Sequence, residues 1–154
     1  MKTRLAAEVG AQAALAFYQE TLAAVSGRLA GASTFDLVLA VTPDDAASAP
    51  TADAPTANEA DGLPAGLRRI PQGPGDLGAR MGRLLATATP ARPVLILGSD
   101  IPGITVAHVE RAITALGTAP LVLGPSGDGG YWLIGASRPP PPDLFLGVRW
   151  SSPF

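Results

Sequence analysis

Apolar residues recur along the chain with the period of a helix in three places. Near the amino terminus one helix face carries a series of apolar side chains: Leu15, Tyr18, Leu22, Val25 and Leu29. Gly31 follows the last of them and is expected to end this helix. The same period predicts a second helix over residues 77–88, capped by Asp76. A third is predicted over Val106–Leu116, capped by Thr105.

Short apolar runs predict strands between these helices. The clearest covers residues 93–97 and is apolar almost throughout, as expected for a strand covered on both faces. Further strands are predicted at residues 35–41, 67–70, 121–123 and 131–134. Because strands alternate with helices, we predict an α/β fold with three layers (αβα) around a mainly parallel sheet. Residues 1–154 are expected to form a single domain.

Residues 42–66 differ from the rest because they show no hydrophobic period. Ala, Pro, Thr and Asp dominate this segment, and it contains few apolar residues of any size. Few apolar anchors offset the entropy that ordering would cost. We therefore interpret 42–66 as a flexible insertion within the domain and expect it to be the least ordered internal segment.

Composition and charge narrow the classes of function. The chain has 154 residues, a formal charge of −2, no cysteine and one histidine, His108. A slightly acidic protein has no general attraction for phosphate backbones, so nucleic acid is a poor candidate partner. The missing cysteines exclude disulfides, thiolate metal sites and Cys nucleophiles. His108 lies on the polar side of the third predicted helix, and we expect it to be a surface residue.

The sequence contains no apolar run long enough to span a bilayer. Lys2 and Arg4 precede an Ala- and Leu-rich stretch that superficially resembles a signal peptide. Polar residues interrupt that stretch at Glu8 and Gln12 and again at Glu20. An amphipathic helix fits it better than a cleaved leader, so a cytoplasmic location is expected.

Two loops at the ends of predicted strands carry candidate chemistry. Gly98-Ser99-Asp100 follows residues 93–97, and ligands of α/β proteins bind beyond the carboxyl ends of strands. Asp100 could equally shape the turn that follows it or cap a helix. The second loop, residues 124–130, has four glycines that allow close approach to a ligand, and Asp128 is its only acid. An Asp-Gly pair is also a common hairpin turn.

Two further clusters suit a phosphorylated ligand. Lys2 and Arg4 flank Thr3, and cationic side chains of both kinds bind phosphate oxygens. A solvated terminus is the alternative, and it is the more common fate of such residues. Gly75 and Asp76 open the second predicted helix, where free backbone N–H groups can meet a ligand. An ordinary helix cap is the alternative for Asp76.

In order along the chain, these clusters resemble the radical-SAM/selenodomain-associated transferase family, whose function is unknown, within the GT-A glycosyltransferase superfamily. The resemblance covers nearly the whole chain apart from residues 42–66. That family is similar to molybdenum-cofactor guanylyltransferases and 2-phospholactate guanylyltransferases. The matching motifs are Lys2-Thr3-Arg4-Leu5, Thr42-Pro43-Asp44-Asp45, Gly75-Asp76-Leu77-Gly78-Ala79-Arg80-Met81, Gly98-Ser99-Asp100-Ile101-Pro102-Gly103-Ile104-Thr105, Gly124-Pro125-Ser126-Gly127-Asp128-Gly129-Gly130-Tyr131-Trp132-Leu133-Ile134-Gly135 and Trp150-Ser151-Ser152-Pro153.

The resemblance implies a nucleotide-diphospho-sugar transferase fold with a metal-bound diphosphate. Asp100 and Asp128 would hold Mg²⁺ or Mn²⁺ and, with Arg4, would form the catalytic set. The acceptor, an unknown small molecule, would enter from the side of Tyr131 and Trp150. The implied donor-binding residues are Lys2, Thr3, Arg4, Gly75, Asp76, Ser99, Gly129 and Gly130.

Three functions stay open at this point. The first is glycosyl transfer from a nucleotide sugar, and the second is nucleotidyl transfer from a nucleoside triphosphate with release of pyrophosphate. The third is a non-catalytic nucleotide-binding or scaffold protein, or an inactive fragment. Members of the family begin with a strand and a glycine-bearing loop before the Lys-Thr-Arg-Leu motif, and they continue beyond the Trp-Ser motif. The resemblance therefore implies that the first strand is missing here, and we expect a gap in the sheet beside residues 93–97.

Overall fold

The computed structural model describes residues 3–48, 66–127 and 129–150, with Thr3 and Arg4 described by their backbone alone. Helices and strands alternate over most of this length. The helices are α1 (Thr3–Val9), α2 (Ala11–Ala30), α3 (Leu77–Leu85) and α4 (Val106–Leu116), and a short 3₁₀ helix spans Asp44–Ala47. The strands are β1 (Val38–Val41), β2 (Arg68–Pro71), β3 (Val94–Leu97), β4 (Leu121–Pro125) and β5 (Tyr131–Ala136).

The helices begin and end where local chemistry predicts. Gly31 follows α2 directly, as its position after the apolar series indicated. The Asp76 carboxylate caps α3 by accepting the Ala79 N–H at 2.8 Å. The Thr105 hydroxyl caps α4 by accepting the His108 N–H at 3.4 Å. Gly10 separates α1 from α2 with a φ of 88°, a left-handed conformation that glycine adopts without steric cost.

The α/β class is confirmed, and the strands pair in two sheets. β1 and β2 are parallel. The second sheet has the order β3-β5-β4, and β5 runs antiparallel to both neighbours. β3 and β4 therefore run in the same direction, as expected, and α4 connects them. β5 departs from the expected parallel arrangement because only a short turn joins it to β4, and so short a link can connect only antiparallel neighbours.

Helices cover both faces of the three-stranded sheet. On one face, α3 packs through Met81 and Leu85 against a cluster that includes Val94 and Ile96. On the other face, α2 and α4 form a cluster with Leu97. Because alternate residues of a strand point to opposite faces, Ile96 and Leu97 mark the two sides of a three-layer arrangement. Within the described ranges, no helix combines the length and apolar character that crossing a membrane requires.

Among the described strands, β3 pairs on one side with β5, and β1 pairs on one side with β2. The strands therefore form two sheets rather than one continuous sheet. Both β1 and β3 are edge strands within the described part of the chain.

The predicted insertion at residues 42–66 begins with ordered contacts. Asp44–Ala47 forms the 3₁₀ helix, and the Asp44 carboxylate accepts the Gly73 N–H at 2.9 Å. A polar contact of this kind leaves no mark in the hydrophobic pattern, so the sequence did not indicate it. Residues 49–65 lie outside the described residues, and the expectation for them stays a prediction.

The close packing of β5 against its neighbours generates a stability prediction at Gly135. A Cβ atom at this position would lie 2.9 Å from Val122 Cγ1 and 3.1 Å from Leu95 Cγ. Gly135→Ala is expected to lower the free energy of unfolding by about 1–3 kcal/mol, because the added methyl overpacks the core. Urea denaturation followed by circular dichroism measures the change.

The matched control is Gly27→Ala, since a Cβ at Gly27 in α2 meets nothing within 4 Å. It is expected to stabilise the protein by about 0.5–1 kcal/mol, because alanine favours a helix interior over glycine. Equal stability of the two variants would contradict the packing described for Gly135.

Candidate functional site

Two loops meet at one edge of the three-stranded sheet. Residues 98–100 follow the carboxyl end of β3, and residues 126–130 connect the carboxyl end of β4 to the start of β5. The Gly98 N–H donates to the Trp132 carbonyl at 2.9 Å. The first loop is therefore hydrogen-bonded directly to β5, the strand that follows the second loop. This edge is the one at which α/β proteins bind ligands.

Asp100 lies half-buried at this edge. Its Oδ1 would be 3.2 Å from a Cβ placed on Gly98, so the carboxylate lies over the backbone of that glycine. A turn follows directly, closed by the Ile104 N–H, which donates to the Ile101 carbonyl at 3.3 Å. Asp100 thus stands between the end of β3 and a defined turn. Its oxygens are hard donors of the kind that Mg²⁺ and Mn²⁺ prefer.

The glycine-rich loop forms a closed turn. The Ser126 N–H donates to the Gly130 carbonyl at 2.9 Å, and the Gly129 N–H donates to the Ser126 carbonyl at 3.2 Å. Gly129 has a φ of 80°, which favours glycine. The hairpin interpretation of this segment is therefore confirmed. Asp128 lies outside the described residues, so the metal site that it was expected to share with Asp100 stays a prediction.

β5 begins with a β-bulge, and its two aromatic side chains lie on opposite faces of the sheet. Gly124 pairs with Leu133 and Pro125 pairs with Tyr131, which leaves Trp132 without a counterpart on β4. Tyr131 packs on the α3 side of the sheet and Trp132 on the α4 side. Its indole would come within 2.7 Å of a Cβ on Gly124, so glycine provides its space.

Trp132 and His108 form an aromatic contact beside this loop. Their ring centroids are 5.8 Å apart with edge-on geometry. The His108 Nδ1 also accepts the Thr105 N–H at 3.2 Å, which completes a capping box with the Thr105 hydroxyl. The expectation that His108 is a simple surface residue is therefore wrong. Its position on the polar face of α4 gave no sign that the ring would fold back over the first turn.

The start of α3 adds a second group of predicted residues. Gly75 has a φ of 100°, and a Cβ on it would lie 2.8 Å from the Ala79 Cβ, so only glycine fits well. Its carbonyl accepts the Arg80 Nε at 2.9 Å. The cap interpretation of Asp76 is confirmed by its bond to Ala79. A role for either residue at a nucleoside stays a prediction.

Two arginines to which the sequence alone assigned no role, Arg80 and Arg83, hold the loop before α3. Arg83 donates to the Gln72 carbonyl and, at 2.8 Å, to the Pro74 carbonyl. Arg80 donates to the Gln72 side chain at 3.3 Å, and the Gln72 amide donates to the Ala40 carbonyl at 2.9 Å. These bonds connect the carboxyl ends of β1 and β2 to α3. Basic residues one and two turns into a helix are common, so the sequence carried little signal for them.

The first turns of α3 lie close to the edge where β5 begins. The Tyr131 hydroxyl approaches the Met81 sulfur at 3.8 Å. Burial raises the pKa of the Tyr131 hydroxyl above its ordinary value, so it stays protonated at neutral pH. Phe145 and Trp150 pack on the same helix, since a Cβ on Gly78 would lie 2.9 Å from the Phe145 Cβ and 3.1 Å from the Trp150 ring.

An apolar cavity of about 190 Å³ opens beside Tyr131. Its lining is almost free of polar atoms and consists of Leu123, Tyr131, Ile134, Leu144, Phe145, Val148 and Trp150. A larger cavity of about 500 Å³ lies between Val38, Arg68 and Arg92, at the amino-terminal ends of the strands. Ligands of α/β proteins bind at the opposite ends of the strands. The smaller cavity includes Tyr131, which directly follows the glycine-rich turn, and it therefore lies next to the two loops.

The predicted residues at the amino terminus are described only in part. Lys2 lies outside the described residues, and Thr3 and Arg4 belong to α1 by their backbone. Ser99 is half-buried next to Asp100, and Gly129 and Gly130 are exposed. Within the described ranges, no three His, Asp or Glu side chains converge as they do in a metal-binding cluster.

Comparison with solved structures gives a match over almost the whole chain. The similar protein is described as a "putative nucleotide-diphospho-sugar transferase" from Desulfovibrio desulfuricans G20, and the two chains share 31% identity with a TM-score of 0.76. The match covers 98% of this chain and 63% of that one, so this chain spans less than two thirds of its length.

Comparison with curated proteins gives no match. Comparison with protein families gives a match over residues 21–152, which include both loops and the start of α3. The chain belongs to the family described as an uncharacterized protein conserved in bacteria (DUF2064).

Proposed function

We propose that this protein is a metal-dependent transferase that uses a nucleotide sugar as donor. The observation that carries the proposal is the bond between Gly98 and Trp132, which holds the Asp100 loop beside the glycine-rich turn at the carboxyl edge of the sheet. The 31% identity to a structure described as a "putative nucleotide-diphospho-sugar transferase" supports the choice of donor.

The chemistry of this edge suits a diphosphate. Asp100 and Asp128 would hold Mg²⁺ or Mn²⁺, and the bound ion would neutralise charge on the diphosphate leaving group. The exposed backbone at Gly129 and Gly130 leaves room for phosphate oxygens to approach. Lys2 and Arg4 would add positive charge at the same phosphates, and Thr3 and Ser99 could donate hydrogen bonds. Catalysis would rest on positioning and electrostatics, without a protein nucleophile.

The acceptor would enter from the side of Tyr131 and Trp150, where the apolar cavity opens. A cavity of about 190 Å³ has the size for one aromatic ring or a short alkyl group, since an engineered apolar protein cavity of about 150 Å³ binds benzene. Tyr131 joins the cavity to the glycine-rich turn, because it lines the first and directly follows the second. The protonated hydroxyl of Tyr131 is able to donate a hydrogen bond to the acceptor substrate.

Asp100→Asn tests the metal site. The amide keeps the shape of the side chain and removes the charge that attracts a hard cation. In wild-type protein a nucleotide sugar at a hundred times its Kd should stabilise the fold by about 2.7 kcal/mol. We expect the Mg²⁺-dependent part of this stabilisation to be lost in the variant, as measured by thermal shift with and without Mg²⁺ across a panel of nucleotide sugars.

Asp143→Asn is the matched control because Asp143 is exposed and lies outside both loops. It should bind like wild type. Equal Mg²⁺-dependent binding by Asp100→Asn and wild type would remove Asp100 from the site. Release of pyrophosphate from a nucleoside triphosphate, with no turnover of any nucleotide sugar, would replace glycosyl transfer by nucleotidyl transfer.

A pair of substitutions at Asp76 separates its cap from a contact with the nucleoside. Asn caps helices as well as Asp does, whereas Ala removes the cap and costs about 1 kcal/mol. We expect Asp76→Asn to keep wild-type stability and Asp76→Ala to lose that amount in urea denaturation. If the carboxylate also contacts the nucleoside, Asp76→Asn should lower donor affinity in isothermal titration. Unchanged affinity in both variants would leave Asp76 as a cap alone.

Filling the cavity tests the acceptor side. Val148→Trp places an indole in the cavity, and it is expected to abolish binding of p-cresol, a ring-sized probe, in saturation-transfer NMR. Donor affinity should stay the same, because Val148 does not belong to either loop. Leu146→Trp is the control, since Leu146 is 84% exposed and does not line the cavity. Probe binding that survives Val148→Trp would place the acceptor elsewhere.

A further inference from the structure

Arg28 connects the last turn of α2 to the far end of the loop that carries Asp100. Its Nη1 donates to the Pro102 carbonyl at 2.7 Å and to the Ile104 carbonyl at 2.5 Å. The two carbonyls flank Gly103, in the turn that directly follows Asp100. The contact joins residues more than seventy positions apart in the sequence.

The same loop is held at two other points. At its start, the Gly98 N–H is bonded to the Trp132 carbonyl at 2.9 Å. At its end, Ile104 is only 1% exposed and packs against Val25 and Leu29 of α2. Asp100 therefore lies between an anchor on β5 and an anchor on α2, and Arg28 supplies the polar part of the second anchor.

We propose that Arg28 is a positioning residue for Asp100, an inference that rests on the proposed metal site. By holding the turn over residues 101–104, its guanidinium limits the directions in which the Asp100 carboxylate can point. Arginine suits this task because its planar group offers several N–H donors and keeps its charge at any physiological pH. Groups hydrogen-bonded to a metal ligand commonly change metal affinity by about 10- to 100-fold when they are lost. Arg28 acts through the turn that follows Asp100, so an effect at the lower end of that range is expected.

The sign of the effect on cation binding separates positioning from simple electrostatics. A positive charge near a cation site opposes the binding of the cation. If Arg28 acted through its charge alone, its removal would strengthen Mn²⁺ binding. If Arg28 orients Asp100, its removal weakens Mn²⁺ binding although a repulsive charge is gone.

The experiment measures the affinity for Mn²⁺ alone, without nucleotide, by electron paramagnetic resonance. Arg28→Met should raise the Kd for Mn²⁺ about tenfold. Arg28→Lys should recover most of the affinity, because an ammonium can still donate to these carbonyls. Arg111→Met is the matched control, since Arg111 is exposed on α4, the helix that follows the loop, and it should bind like wild type.

Hydrogen exchange provides a second readout that needs no metal. Amides of residues 98–105 should exchange faster in Arg28→Met than in Arg111→Met, while those of β5 stay equally protected. Should Arg28→Met fail to fold, Arg28→Gln takes its place. Its amide still offers a donor, but the shorter side chain cannot hold both carbonyls as arginine does, so a smaller loss of Mn²⁺ affinity in the same direction is expected.

The results of these measurements distinguish failure of the positioning role of Arg28 from failure of the metal site. Mn²⁺ affinity that falls in Asp100→Asn but is unchanged or higher in Arg28→Met overturns the positioning role and leaves the metal site standing. Equal affinity in wild type and Asp100→Asn overturns the metal site, and the role of Arg28 falls with it. Faster exchange over residues 98–105 together with weaker Mn²⁺ binding, both reversed by Arg28→Lys, is the result that the inference requires.

Discussion

The hydrogen bond from the Gly98 N–H to the Trp132 carbonyl sets the geometry of the whole candidate site. It exists because β5 lies between β3 and β4, and it continues the pairing of β3 with β5 one residue beyond Leu97. Neighbouring strands are about 4.8 Å apart, so β3 and β4 end about 10 Å from each other with β5 between them. A ligand shared by the two loops must therefore sit over the first residues of β5. Gly129 and Gly130 precede that point and have no side chains to block it.

Local chemistry allowed much of this arrangement to be predicted from the sequence. Asp76 and Thr105 indicate where α3 and α4 start, because a capping residue bonds only to the first turn of its own helix. The apolar run at residues 93–97 likewise indicates β3 from the residues of that strand alone. Contacts that join distant segments could not be predicted. The contact of the His108 ring with Trp132 and the bond of Arg28 to the Pro102 carbonyl depend on how whole elements are arranged in space.

Glycine explains why the aromatic residues of this chain can lie so close to the backbone. Gly124 makes space for the Trp132 indole, and Gly78 makes space for Phe145 and Trp150. The packing of Phe145 and Trp150 on Gly78 matters for the proposed function. It joins α3, the helix that begins beside Gly75 and Asp76, to the wall of the apolar cavity. The donor side and the acceptor side of the site would then both rest on α3, and a shift of this helix would change the geometry of both.

The extra residue at Trp132 limits how this protein can change in evolution or by design. Residues 133–136 pair with β4 in an unbroken register, so the shift is confined to the start of β5. Deleting one residue at 131–132 would remove the bulge, so that either the phenol would be lost from the cavity wall or the indole from beside His108. Side-chain replacements at these positions alter one contact at a time. A deletion would remove one contact and the bulge together, and we expect variation among relatives at this point to consist of substitutions and not of insertions or deletions.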